Sequence, residues 1–234
     1  MIIGFGTAHD WVRWAFALDD LKFSTKSEAL SARSQGIVES IRFNQMWTAT
    51  NALFAKDSIL TVVSSPVPLT AAIRASEIKR FDVIYKVAGL NPALEGTCVD
   101  TLNELLSMEC KADGLVGVFT ADDTPIMWEV IYEKYMRPDD RSRPLGKLIN
   151  AAIKKAQSAH TTAKAAGTKR TDQPKPLVQG PDLIYAARNW AVHGMLLTSF
   201  FRGSRQKYIT FIDNITLLLA AVLDGASRNL LPKL

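Results

Sequence analysis

The run Arg188-Asn189-Trp190-Ala191-Val192-His193, followed at once by Gly194, places a permanent cation near a titratable imidazole in a chain with only three histidines. A guanidinium is charged at every physiological pH and meets phosphate with a planar fork. An imidazole takes or gives a proton near neutrality. Together they are a minimal kit for cleaving a phosphodiester, provided the fold brings both to the same phosphate.

Helix geometry constrains how that could happen. On a regular helix, positions five apart differ by about 140°, so Arg188 and His193 do not share a face. Asn189 and His193, four apart, do. A bend would make Arg188 and His193 converge, and so would a second copy of the same helix across a twofold axis. The plain alternative is a surface Arg and His making ordinary contacts, with Asn189 orienting His193 by a hydrogen bond.

The elements that must position these residues read as helices. Ala32 to Lys56 carries Ile37, Ile41, Met46, Trp47, Ala49, Leu53 and Phe54 at helical spacing with no proline, which predicts one long helix. Ser58 to Pro68 reads as an extended connector. Further helices are expected over Leu69–Gly89, Thr97–Cys110, Asp122–Met136 and Leu145–Gln157. Asp122, Asp123 and Pro125 supply helix-start signals for the third of these. The last two helices are expected over Pro181–Phe201, which carries the motif, and Arg205–Leu231. Between them lies the turn Arg202-Gly203-Ser204. Residues 158–180 lose apolar periodicity and are rich in Ser, Thr, Ala, Lys, Gly and Pro, so a mobile basic loop is expected there. The whole, residues 1–234, reads as one all-α domain, a helical bundle with long insertions between its core helices.

Composition narrows the class. A hydrophobic content of 47% is enough for a substantial core. The net charge of +5 is compatible with a polyanionic partner. Cys98 and Cys110 have no histidine near them, which is neither a zinc spacing nor a disulfide framework, so reduced thiols and a cytoplasmic setting are expected. No secretory signal is expected at the N-terminus. Ile209 to Leu223 is apolar but interrupted by Asp213 and Asn214 and short for a bilayer span, so it reads as a buried amphipathic helix and no membrane partner is expected.

The string Arg188-Asn189-Trp190-Ala191-Val192-His193 resembles the Arg-x(4–6)-His motif of the HEPN superfamily, including the polar Asn directly after the Arg. Arg42-Phe43-Asn44-Gln45-Met46-Trp47-Thr48-Ala49-Thr50-Asn51-Ala52-Leu53-Phe54 is similar to the early helix of that superfamily, and the two segments come in the right order. The resemblance implies a HEPN-type helical bundle that dimerises with a composite active site, and endoribonuclease activity that needs no metal or other cofactor. It also implies a toxin or antiviral defence role, with a cognate antitoxin as a partner. Other members have lost catalysis and serve as modules that bind RNA, nucleotide or protein.

Under that reading the 2′-hydroxyl of RNA attacks the adjacent phosphate. His193 would be general base toward that hydroxyl or general acid toward the leaving 5′-oxygen. Arg188 would stabilise the charge on the non-bridging oxygens. Asn189 would hold the imidazole or bond the phosphate. The products would be a 2′,3′-cyclic phosphate and a 5′-hydroxyl. Arg202 and Arg205 are candidate RNA-backbone contacts, and equally ordinary helix-end cations. Trp190 could stack a base or pack in a core. Asn51, unusual within an apolar helix, either supports the site or satisfies a buried backbone group.

Overall fold

A computed structural model describes residues 28–55, 70–74, 76–108, 125–136, 138–143, 146–151, 153–154, 158, 165–166, 178–192 and 205–230. Helix accounts for 87% of this part and no strand occurs in it, so the described residues are all-α. The elements are α1 (Glu28–Phe54), α2 (Ala71–Arg74), α3 (Glu77–Ala88), α4 (Pro92–Leu106), α5 (Met127–Val130), α6 (Pro138–Arg141), α7 (Gly180–Val192) and α8 (Arg205–Leu230). The connector at 58–68 lies outside the described residues.

The core is organised by α8. Its buried residues Phe211, Ile215, Leu218, Leu219, Val222 and Ala226 recur at three- and four-residue steps, which puts them on one stripe. That stripe packs on α1, α3, α4 and α7. The apolar run extends past Leu223, and Ile209–Leu230, at 22 residues, is long and apolar enough to cross a bilayer by length and composition. More than half of its most apolar stretch is nevertheless buried within the protein, as an amphipathic core helix requires.

Close backbone contact fixes α8 against α3. A β-carbon on Gly225 would run into the carbonyl of Ala88, so only hydrogen fits there. Gly89 then ends α3 in the left-handed conformation, with φ of 58°. Asn229 of α8 donates its Nδ2 to the Val87 carbonyl at 2.7 Å, satisfying a group the end of α3 leaves free.

Local capping moves several helix ends from where periodicity alone puts them. α4 begins at Pro92, not at Thr97, because Asn91 accepts hydrogen bonds from the Ala93 and Leu94 amides and proline fits the first turn. The expected helix over Leu69–Gly89 divides into α2 and α3, with Ser76 extended between them. α5 begins at Met127, where Glu129 reaches back to accept the Ile126 amide at 2.7 Å. From Ile131 to Tyr135 the turn widens into a π-helix, closed by Met136 N–H donating to the Ile131 carbonyl at 3.0 Å.

The chain enters α7 from a fixed point. Buried Val178 donates its amide to Asn103 Oδ1 at 2.9 Å and accepts from Asn103 Nδ2 at 3.0 Å. The basic segment expected over 158–180 therefore stops short of Val178, and Gly180 is already helical. Residues 159–164 and 167–177, and with them most of the expected loop, lie outside the described residues.

Candidate functional site

α7 forms because its sequence offers an apolar stripe and little to interrupt it. Leu183, Ile184, Ala186 and Ala187 are buried, and Asp182 supplies an acid in the first turn, where the helix dipole favours one. Burial and the neighbouring Asp82 push the Asp182 carboxyl up from its usual pKa. The same helix turns Tyr185, Arg188 and Asn189 to its half-buried side, as steps of three and four residues require.

α3 runs antiparallel to α7. Its far end puts Tyr85 against Gly180, while its first residue, Glu77, meets Tyr185 and Arg188. Rings fill the space between α1, α3 and α7. Trp47 lies 5.1 Å from Phe81 and 6.2 Å from Tyr185, centroid to centroid, with Phe54 5.7 Å away. Arg80 anchors this group from below, donating its Nε to the Phe54 carbonyl at 2.8 Å and its Nη2 to the Ala55 carbonyl at 2.6 Å.

Arg188 sits on the rim of this aromatic cluster. Its Cζ is 5.8 Å from the Trp47 centroid and 5.7 Å from that of Tyr185, both within cation–π range. Its Nη1 donates to Asn189 Oδ1 at 2.8 Å. Its Nη2 donates to Glu77 Oε1 at 3.2 Å, and the Tyr185 hydroxyl donates to Glu77 Oε2, also at 3.2 Å. The Nε of Arg188 is buried and makes no hydrogen bond.

The Arg188–Glu77 pair is partly open, with 22% of the arginine side chain and 32% of the glutamate exposed. At that exposure an ion pair contributes about 0.2–1 kcal/mol. Burial, and then Glu77, push the Tyr185 hydroxyl above its usual pKa, against the opposing pull of Arg188 and Arg143. Tyr185 therefore keeps its proton and remains a donor. Arg143, exposed, adds a second positive charge near the tyrosine.

Of the residues singled out from the sequence, Arg188, Asn189 and the helix bearing Trp47 come together here. Asn51 is half-buried one turn beyond Trp47, and its carbonyl accepts the Ala55 amide at 2.8 Å. His193 follows directly on the last residue of α7 and lies outside the described residues, as do Arg202 and the side chains of Trp190 and Arg205. Sequence reading missed Glu77 and Tyr185. Tyr185 is legible in retrospect, three residues before Arg188 on one helix. Glu77 is not, because only the packing of α3 on α7 brings it there. No family model, curated protein or solved structure matches the chain.

Proposed function

We propose that the protein is a metal-independent endoribonuclease of HEPN type, with Arg188, Asn189 and His193 as its cleavage residues. The observation that carries this reading is the contact between its two motif segments. The Arg188 guanidinium lies over the Trp47 ring although the two residues are 141 positions apart in the chain. Asn189, bonded to the guanidinium, helps to fix its orientation.

In the reaction, the 2′-oxygen attacks phosphorus as its proton leaves to a base, and the P–O5′ bond breaks as the 5′-oxygen gains a proton. His193 serves as that base or as the acid. Arg188 stabilises the negative charge that grows on the non-bridging oxygens. RNA carries its own nucleophile, so the reaction requires no metal-activated water. Two α7 helices facing each other in a homodimer would form the composite site, with Trp190, Arg202 and Arg205 along the RNA path. The cellular role that fits is a cytoplasmic toxin or defence effector, held in check by a cognate antitoxin.

One observation favours a second reading. Glu77 neutralises Arg188 within the protomer, as it would in a non-catalytic module that binds RNA, nucleotide or a partner protein. A single experiment separates the two. Purified protein is incubated with mixed RNA in EDTA beside His193→Ala and Arg188→Ala, and the ends are read by mass spectrometry. Cyclic-phosphate ends from the wild type alone support the ribonuclease. No cleavage by any form, with folding intact, leaves the binding module.

A further inference from the structure

Glu77 presents two oxygens to two donors. Oε1 takes the Arg188 Nη2 and Oε2 takes the Tyr185 hydroxyl. A phosphodiester offers the same pattern, two non-bridging oxygens carrying one negative charge between them. We infer that Arg188 and Tyr185 form a phosphodiester subsite and that Glu77 occupies it in the absence of RNA.

Three features make the glutamate the partner that leaves. Its side chain is the more exposed of the pair. Both of its bonds, at 3.2 Å, are long for charge-assisted contacts, which run to about 2.7–2.9 Å. Arg188, by contrast, is held independently by Asn189 and by two rings, so it stays when the carboxylate swings out. Tyr185 keeps its proton because burial and Glu77 raise its pKa, so it can donate to whichever anion is present. Tyr185 thereby becomes a binding residue that the Arg–His spacing does not reveal, and Glu77 a gate set by charge.

This inference rests on RNA as the ligand, but its test does not depend on cleavage. A fluorescein-labelled, fully 2′-O-methylated RNA oligonucleotide keeps the phosphates and lacks the nucleophile. Its binding is followed by anisotropy over a series of salt concentrations. Glu77→Gln keeps the shape and removes the charge, and should tighten binding roughly three- to fivefold, the worth of a partly exposed ion pair. The log K against log salt plots of Glu77→Gln and wild type should run nearly parallel, because both make the same phosphate contact once RNA is bound. Adding Tyr185→Phe to Glu77→Gln should reverse most of that gain. Equal or weaker binding by folded Glu77→Gln overturns the inference. Should Glu77→Gln fail to fold, Tyr185→Phe alone decides, because unaltered affinity in that variant also overturns it. Wild-type cleavage together with an unaltered Glu77→Gln would sink the subsite and leave the ribonuclease. Tighter Glu77→Gln binding without cleavage by any form would do the reverse.

Discussion

Two tyrosine–glutamate hydrogen bonds lie at opposite ends of the α3–α7 pair. At one end the Tyr85 hydroxyl donates to Glu95 at 2.8 Å, with Tyr85 buried and packed against Gly180. At the other the Tyr185 hydroxyl donates to Glu77 at 3.2 Å, half-open and beside a guanidinium. The first bond is short and has no cation attached to it. The second is longer, shares its carboxylate with Arg188, and adjoins a buried Nε with no hydrogen-bond partner. The same two residue types thus pin packed helices at one end and hold a guanidinium at the other. What differs is the third group, the exposure of the tyrosine and the length of the bond.

Substitutions at the two ends should separate them, beginning with the largest effect. Arg188→Ala should lower the rate of EDTA-resistant RNA cleavage by about 10²–10³-fold, the worth of one charge-stabilising donor. Gel-based initial rates would read this directly, and wild-type rates in that variant would end the catalytic assignment of the open end. At the closed end, Asn103→Ala strands both backbone groups of Val178 and should cost about 2–4 kcal/mol. Calorimetry should then show Tm lowered by roughly 5–15 °C. A smaller change would mean that Val178 finds other partners.

Tyr85→Phe comes next, at about 1–2 kcal/mol by urea titration. It also carries a pH signature. Burial, then the bond to Glu95, raise the Tyr85 pKa well above its ordinary 10.0. Below pH 10 the hydroxyl is protonated in both folded and unfolded chains. Above it the unfolded chain loses the proton first, so stability falls as pH rises, by up to about 1.4 kcal/mol per pH unit. Urea titrations between pH 9 and about pH 11 should show a shallower decline for Tyr85→Phe than for wild type, and identical slopes would contradict the shift. Tyr185→Phe should have the smallest stability effect, under about 1 kcal/mol, while still weakening RNA binding. Were Tyr185→Phe to destabilise as much as Tyr85→Phe, the contrast between the two ends would collapse.

Much of the fold is legible in the sequence because apolar spacing of three and four survives in the long helices. α1 runs over Glu28–Phe54 where periodicity predicts Ala32–Lys56, and α8 ends within one residue of expectation. The boundaries that moved did so for chemical reasons that periodicity does not weigh. Asn91 and Pro92 start α4 a full turn early, and Glu129 fixes the start of α5 through a backbone amide. The π turn at Ile131–Tyr135 leaves no mark in the apolar pattern. At the site, Arg188 and Asn189 were legible from residue type and spacing. Glu77 was not, since it lies 111 residues earlier and reaches Arg188 only through helix packing.

The Asn103–Val178 pairing carries a consequence for how this chain can vary. A side-chain amide mimics a backbone partner across 75 positions of sequence and docks the residue just ahead of α7. The start of α7 is therefore seated against α4 by two hydrogen bonds. A change at Asn103 should therefore be felt at Arg188, because one helix carries the seating at its start and the guanidinium two turns on. The α4 surface and the cationic centre are coupled in this way, and neither is free to drift without the other.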